Sequence, residues 1–286
     1  MPRPRKVFGE GEAAAPVLLL PDHLVATLVP TLPKPAQVYE LMRRAIVTLA
    51  LPPGSAINEK AICEQLGISR TPFREALLRL SSENLVTVVP HKGTYVSHIE
   101  LQNVFDGQLV RDALEMKAVR FAAVKLTPRF LRQLEFNLHQ QVILAAEADY
   151  DGFYELDEAF HRLICDFGAS PRIWRIVNGA KAQLDRVRRL AFPVRSHLET
   201  VLAEHAAIVD ALKAHDPELA AAKMQLHLDG VFIVIRELIV DKSDHFSRSA
   251  PDDLRRFEAT LHNTENRRRR AGLPRPRVNR SPLTPH

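Results

Sequence analysis

The run "NEKAICEQLGISRTPFREALLRLSSENL", residues 58–85, constrains the fold more than any other part of this 286-residue chain. Its pieces follow the order that a helix-turn-helix requires: a short helix, a tight turn carrying glycine, and a second helix packed across the first. Asn58 is placed to cap the first helix, with Ala61, Ile62 and Leu66 facing inward. Gly67 supplies the left-handed backbone that ends it. Ile68 plugs the turn, Ser69 or Thr71 caps the second helix, and Pro72 is tolerated in that helix's first turn. Phe73, Ala76, Leu77 and Leu80 then form a buried stripe. Arg70 and Arg74 flank the N-terminal end, where free backbone N–H groups favour phosphate and where a recognition helix meets base edges.

The residues that follow extend the pattern. "LVTVV" and "TYVSH" are short β-rich runs joined by "PHKG", a hairpin with Gly93 in its turn. A helix-turn-helix closed by such a hairpin is a winged helix, whose wing tip presents His91 and Lys92 to the DNA backbone or minor groove. A plain helical fragment with Arg70, Arg74 and Arg79 as a solvated face accounts for the arginines. It does not account for turn, caps, stripe and hairpin together.

Charge alone does not establish DNA binding. The net charge is +5, yet seven arginines lie between His262 and His286 against the single Glu265, and Arg3, Arg5 and Lys6 open the chain. The excess therefore sits in the tails. The two cysteines, Cys63 and Cys165, lie far apart in helical stretches, which argues against a disulfide framework or a cysteine-rich zinc site. No apolar run approaches the ~20 residues of a membrane helix, and no signal-peptide layout precedes "PVLLLPDHLVATLVP". The expected location is cytoplasmic, with no membrane partner.

Composition and periodicity divide the chain into four parts: a Pro/Ala-rich flexible arm over 1–34, the winged helix-turn-helix over 35–98, an all-helical region over 101–241, and a basic disordered tail over 243–286. In the helical region "LTPRF", "SPRIW" and "DPELA" make Thr127, Ser170 and Asp216 N-caps followed by proline, and "SHLE" sets Ser196 and Glu199 as a capping box. Apolar residues recur between them at helical spacing, as at Leu131, Leu134 and Leu138, or Leu198, Leu202 and Val209. About six helices with short connections imply an antiparallel bundle. The fold class is mainly α: an N-terminal winged helix-turn-helix followed by an all-α antiparallel helical bundle.

Among twelve histidines, three are set apart by their neighbours. "YELDEAFHRLI" puts Asp157 and His161 four apart on one helix face. His205 and His227 lie beside the inward stripes of two later helices. One carboxylate and three imidazoles can converge in a bundle core as an N₃O set suited to Zn²⁺, Ni²⁺ or Mn²⁺. Buried histidines bonded to neighbouring carboxylates fit the same spacing, so spacing leaves both readings open. Arg111 and Arg188 lie on inward stripes, where each can clamp an anionic ligand or make a structural ion pair. Glu204 and Asp166 read as surface residues, and His139, His197 and His215 carry no assigned role.

Residues 38–96, above all "LPPGSAINE", "LGISRTPFREAL" and the wing glycine, resemble the DNA-binding domain of the GntR family of bacterial transcription regulators. The resemblance implies that Lys60, Arg70, Thr71 and Arg74 touch phosphates or bases, with Ser69 beside them, and that Gly93 makes a wing-tip contact. Two positions depart from the family pattern. Asn84 stands where glycine is usual, and Lys60 where arginine is frequent, which weakens bidentate readout there. Residues 101–241 resemble the FCD effector domain of the FadR-type subfamily. That resemblance implies metal binding through a D-x-x-x-H pair and two later histidines, matched here by Asp157, His161, His205 and His227. It also implies a small carboxylate effector, an organic or sugar acid, at the open coordination positions.

The function expected is a ligand-responsive, homodimeric transcription regulator of the repressor type, not an enzyme, whose two reading helices meet a palindromic double-stranded operator. A metal-dependent hydrolase with an accessory DNA-binding domain is the alternative from another class, though no H-E-x-x-H motif supplies its general base. A metal-free regulator responding to an acyl ligand is the third.

Overall fold

The computed structural model describes residues 19–26, 33–193 and 195–271. The first part runs α1 (Asp22–Val25), α2 (Lys34–Val47), β1 (Ala56–Ile57), α3 (Glu59–Leu66), α4 (Arg70–Ser82), β2 (Val86–Val89) and β3 (Gly93–Val96). The turn chemistry is as expected. The Asn58 side chain accepts from Ala61 N–H at 3.0 Å, and Gly67 adopts φ 60°. Asn84 takes the left-handed conformation at φ 57°, which asparagine tolerates better than other non-glycine residues. Phe73, Ala76, Leu77 and Leu80 are buried against Met42 and Ile46 of α2. In α3 the inward residues are Ile62 and Cys63, while Ala61 and Leu66 are only partly covered. The hairpin gains a third, unforeseen strand. The sheet order is β1-β3-β2, all antiparallel, with Ala56 opposite Tyr95 and Thr87 opposite Tyr95 on the other side.

The second part comprises α5 (Leu101–Val124), α6 (Pro128–Ala146), α7 (Tyr150–Gly168), α8 (Pro171–Ala180), α9 (Ala182–Ala191), α10 (Arg195–Lys213), α11 (Pro217–Leu228) and α12 (Val231–Asp241). Thr127 and Asp216 cap α6 and α11 through side-chain bonds, whereas Ser170 makes no capping bond. Helix α10 begins at Arg195, one residue ahead of the expected cap. The bundle has more helices than periodicity implies because two runs break. Lys181, buried and drawn to Glu158 and Asp185, interrupts the run between α8 and α9, and Asp229–Gly230 separates α11 from α12. Helices α5 and α7 approach so closely that a Cβ on Gly168 would fall 2.1 Å from the Ala118 carbonyl oxygen. That approach brings Glu115 of α5 alongside His161 of α7.

Two expectations about the ends need correction. Residues 243–271 are not disordered: a 3₁₀ turn (Ser243–His245) leads to α13 (Ala250–Arg256) and α14 (Glu258–Arg270). Phe246 and Ala250 are buried with the α5–α12 core, and Phe257 stacks on Phe105 at 3.6 Å between centroids. Part of the N-terminal arm also packs: Leu20 and Leu24 join the winged-helix core, and the Leu20 backbone is paired by the Gln65 side chain. Arg3, Arg5, Lys6 and the arginines beyond Arg270 lie outside the described residues.

The two parts are joined tightly. Ala182 belongs to the winged-helix core. Gln183 Nε2 donates to the Asn84 carbonyl at 2.6 Å, and Arg186 Nη2 donates to the Ser97 carbonyl at 2.8 Å. Arg43 Nη2 of α2 donates to the Asn178 carbonyl at 2.8 Å. The connecting strand is clasped from behind, with Ile99 N–H donating to the His245 carbonyl at 2.9 Å and Ser247 N–H to the Ile99 carbonyl at 3.0 Å. No described helix is long and apolar enough to cross a membrane.

Candidate nucleic-acid interface and metal centre

The start of α4 presents its polar residues to water. Ser69, Arg70, Thr71 and Arg74 are all exposed, and Ser69 takes the N-cap backbone geometry without a capping side-chain bond. One acid governs both arginines: Glu59 Oε1 lies 3.1 Å from Arg74 Nε and 3.8 Å from Arg70 Nε. Lys60 is exposed and loosely paired with Glu64 at 3.9 Å. Arg79, by contrast, lies over the Tyr39 ring at 3.6 Å and is tied into the fold. At the wing, His91 and Gly93 both take positive φ, 61° and 124°, and Lys92 N–H closes the turn on the Val89 carbonyl at 3.0 Å. His91, Lys92 and Gly93 are exposed.

In the bundle, Asp157 and His161 (α7), His205 (α10) and His227 (α11) come together, all buried, with one potential ligand atom from each within 4.8 Å of the others. The ring nitrogens converge: His161 Nε2 is 3.1 Å and His205 Nε2 3.3 Å from His227 Nε2. Asp157 Oδ1 lies 3.6 Å from His205 Nε2. The other nitrogen of each ring faces an acceptor. His161 Nδ1 lies 2.7 Å from Glu115 Oε2. His205 Nδ1 donates to Gln141 Oε1 at 2.8 Å, and that amide is oriented because its Nε2 donates to Asn137 Oδ1. His227 Nδ1 donates to Glu204 Oε2 at 3.0 Å. The Phe160 ring stacks on His205 at 4.2 Å and fixes its plane.

This donor set fits a cation. The His205 and His227 protons are held at Nδ1 by acceptors. The Glu115 carboxylate beside His161 Nδ1, in ion-pair contact without hydrogen-bond geometry, favours the same tautomer there. Three Nε2 lone pairs thus point at one another beside a carboxylate oxygen. Lone pairs at 3.1 and 3.3 Å repel unless something positive sits between them. Acceptors behind metal-binding histidines fix tautomer and ring orientation in the same way. Burial and then the surrounding imidazoles and arginines hold His205 and His227 well below the usual histidine range. Burial also lowers His161, although Glu115 pulls the other way. Neutral imidazoles are the ligating form.

Arg111 and Arg188 border the same centre, and both are engaged. Arg111 Nε donates to Glu115 Oε1 at 2.7 Å. Burial disfavours the Glu115 charge, but Arg111 and His161 outweigh it and keep the carboxyl well below its ordinary value. Arg188 bonds Asp157, the candidate ligand itself, and reaches Glu158 at 2.6 Å and Asp185 at 3.1 Å. Sequence reasoning places only Arg188 of its three neighbours inward. In the structure Arg186 is fully buried against the winged helix and Arg189 is largely covered by Asp151, Glu155 and Tyr154, because α9 is enclosed from both domains.

Glu204 is also corrected: it is buried and backs His227 rather than lying on the surface. His197 is buried, and burial lowers its pKa to about 4. Sequence reasoning gave no role to Glu115, four residues after Arg111 on the same stripe, or to Asn137 and Gln141, four apart on α6. Beside the four residues a cavity of about 30 Å³ is bordered by Arg111, Arg188, His197, Glu204 and Arg268, room for a water or two.

Comparison with known proteins agrees with both halves. Residues 34–96 match the model for bacterial regulatory proteins of the gntR family, and residues 108–230 match the FCD domain. The chain is 35% identical over 220 residues, 77% of its length and 96% of the relative's, to the HTH-type transcriptional repressor RspR of Escherichia coli K12. It is 28% identical over 193 residues, 68% of its length and 84% of the relative's, to a probable D-xylose utilization operon transcriptional repressor of Paenarthrobacter nicotinovorans. Among solved structures, the fold resembles E. coli McbR/YncC with a TM-score of 0.62 and 24% identity, over 72% of this chain and 99% of that one.

Proposed function

Because the chain belongs to the GntR family of bacterial regulatory proteins and is a transcription regulator with an FCD domain, we propose that it is a metal-dependent, effector-responsive repressor acting as a homodimer on a palindromic operator. In this reading Ser69, Arg70, Thr71 and Arg74 of α4 contact base edges and phosphates, Lys60 adds a phosphate contact, and His91, Lys92 and Gly93 carry the wing to the adjoining backbone. Asp157, His161, His205 and His227 hold a divalent ion, Zn²⁺, Ni²⁺ or Mn²⁺. Such an ion would offer a small organic or sugar acid a Lewis-acidic anchor for its carboxylate. The observation that carries the reading is the convergence of three backed imidazoles on one point.

The residues around the centre supply a route from sensor to reading head. Arg188 bonds Asp157 from one part of α9, while Ala182, Gln183 and Arg186 of the same helix grip the winged helix at its core, at Asn84 and at Ser97. An anionic ligand drawn to Arg188 competes with Asp157 and Glu158 for that guanidinium, and any shift of α9 moves the contacts at Asn84 and Ser97. The two-fold arrangement turns such a shift into altered spacing of two reading helices. Two of the relatives bear repressor names, which favours repression over activation.

The test is elemental analysis of purified protein together with an operator-binding assay. The wild type is expected to carry about one equivalent of divalent metal per chain. Asp157→Ala and His205→Ala should carry none and should lose the response to small carboxylates in a thermal-shift screen. Equal metal content in wild type and both variants sinks the proposal.

A further inference from the structure

The arginine-rich C-terminal helix lies beyond both spans that match known domains, 34–96 and 108–230, yet one of its four consecutive arginines is among the largest fully buried side chains of the molecule. Arg269 and Arg270 are exposed. Arg268 turns inward: Nη1 donates to the Leu226 carbonyl at 2.6 Å, and Nη2 lies 2.6 Å from Glu204 Oε1. The second oxygen of that carboxylate accepts from His227 Nδ1. Arg268 therefore stands at the head of a line of contacts that runs through Glu204 to one of the candidate ligands. The Nη2–Glu204 contact is an ion pair without hydrogen-bond geometry, and Nε–H has no hydrogen-bond partner among the described residues. The side chain borders the cavity beside the four candidate ligands. A Cβ on Gly230 would come within 3.4 Å of its Nη1. The neighbouring Arg267 anchors the helix, with Nε and Nη2 on the buried Asp229 at 2.8 and 3.0 Å.

We infer that Arg268 is a positioning residue of the metal centre and that α14 is the lid which closes it. The guanidinium fixes Glu204, Glu204 fixes the ring of His227, and the arginine side chain fills the way in. The inference rests on the reading of the four residues as a metal site and adds to it a part supplied from outside the matched FCD span. A cavity of about 30 Å³ does not admit an organic acid, so a ligand reaches the centre by displacing a wall. Of the walls, Arg268 is carried by the peripheral element, held by one carboxylate and one carbonyl. Arg111 and Arg188 sit on helices packed within the bundle.

Two measurements on the full chain test this. The first is reaction of His227 with diethyl pyrocarbonate in metal-free protein, followed by peptide mass spectrometry. Arg268→Ala is expected to raise the rate about tenfold, Arg268→Lys to retain most of the protection because it keeps a cation beside Glu204, and the exposed pair Arg269→Ala with Arg270→Ala to match wild type. The second is Zn²⁺ affinity by competition with a chromophoric chelator, where loss of support behind a ligand costs on the order of tenfold or more. Arg268→Ala should weaken binding by about that factor, with partial recovery in Arg268→Lys. Unchanged reactivity of His227 in Arg268→Ala overturns the inference whether or not metal binds. Failure of the wild type to bind Zn²⁺, Ni²⁺ or Mn²⁺ counts against the metal reading, and the reactivity of His227 still decides the lid.

Discussion

Arg70 and Arg74 at the start of α4 keep 63% and 64% of their side-chain surface in water and share a single acid, Glu59. In the bundle, Arg111 and Arg188 keep 3% and 7%, and each is locked to buried carboxylates. The same residue type serves opposite ends because desolvation sets what a pairing is worth. An exposed pair contributes about 0–1 kcal/mol, so if these arginines contact DNA as proposed, Glu59 would yield them to phosphate at little cost. A buried pair is expensive to open from one side, since the partner left behind is an uncompensated charge. The pairs at the start of α4 are thus built for exchange and those of the bundle for retention.

The largest test of that contrast is Arg111→Ala. It strands Glu115 in the interior, and the expected loss of stability is about 3–5 kcal/mol in denaturant unfolding. A loss below 1 kcal/mol would show that water reaches the pair. Next, Arg74→Ala should cost about 1–3 kcal/mol of operator affinity and leave the unfolding midpoint within about 0.5 kcal/mol of wild type. Unchanged affinity for the operator would refute its place at the base edges.

A third test uses His197, whose pKa is about 4 in the folded chain because burial disfavours its charge, against an ordinary value of 6.5. The unfolded chain then binds the extra proton, so stability associated with the neutral ring is present above pH 6.5 and is lost as pH falls. Between pH 7 and pH 5 that loss is about 2 kcal/mol. His197→Asn should therefore lose about 2 kcal/mol less than wild type over the same interval in paired unfolding curves. The smallest effect is expected from Glu59→Ala, which frees Arg70 and Arg74 and removes a negative charge near the phosphates. Operator affinity should rise by at most about 1 kcal/mol, and a fall would show that Glu59 positions the arginines rather than storing them.

The two regions also differ in how much of them the amino acids disclose in order. The helix-turn-helix is written locally: Asn58, Gly67 and the stripe from Phe73 to Leu80 act within a few residues of one another, and even Asn84 in a glycine position is explained by its own backbone preference. The candidate metal centre is half local. Asp157 and His161 share a helix face by spacing alone, but Glu115, Gln141 and Glu204 arrive behind the rings only through the packing of α5, α6 and α10. Helix α14 escapes detection altogether, because Arg267 and Arg268 help to dock it on carboxylates more than thirty residues away in sequence. A basic polar run carries no trace of such partners.

Ile99 exchanges backbone bonds with His245 and Ser247, so the strand that leaves the winged helix is riveted to a segment synthesised almost 150 residues later. The DNA-binding part is consequently mounted on a closed ring of chain rather than hung from a leash. A polypeptide ending before Phe246 would still contain every residue expected to touch DNA. It would have exchanged a fixed reach for a swinging one.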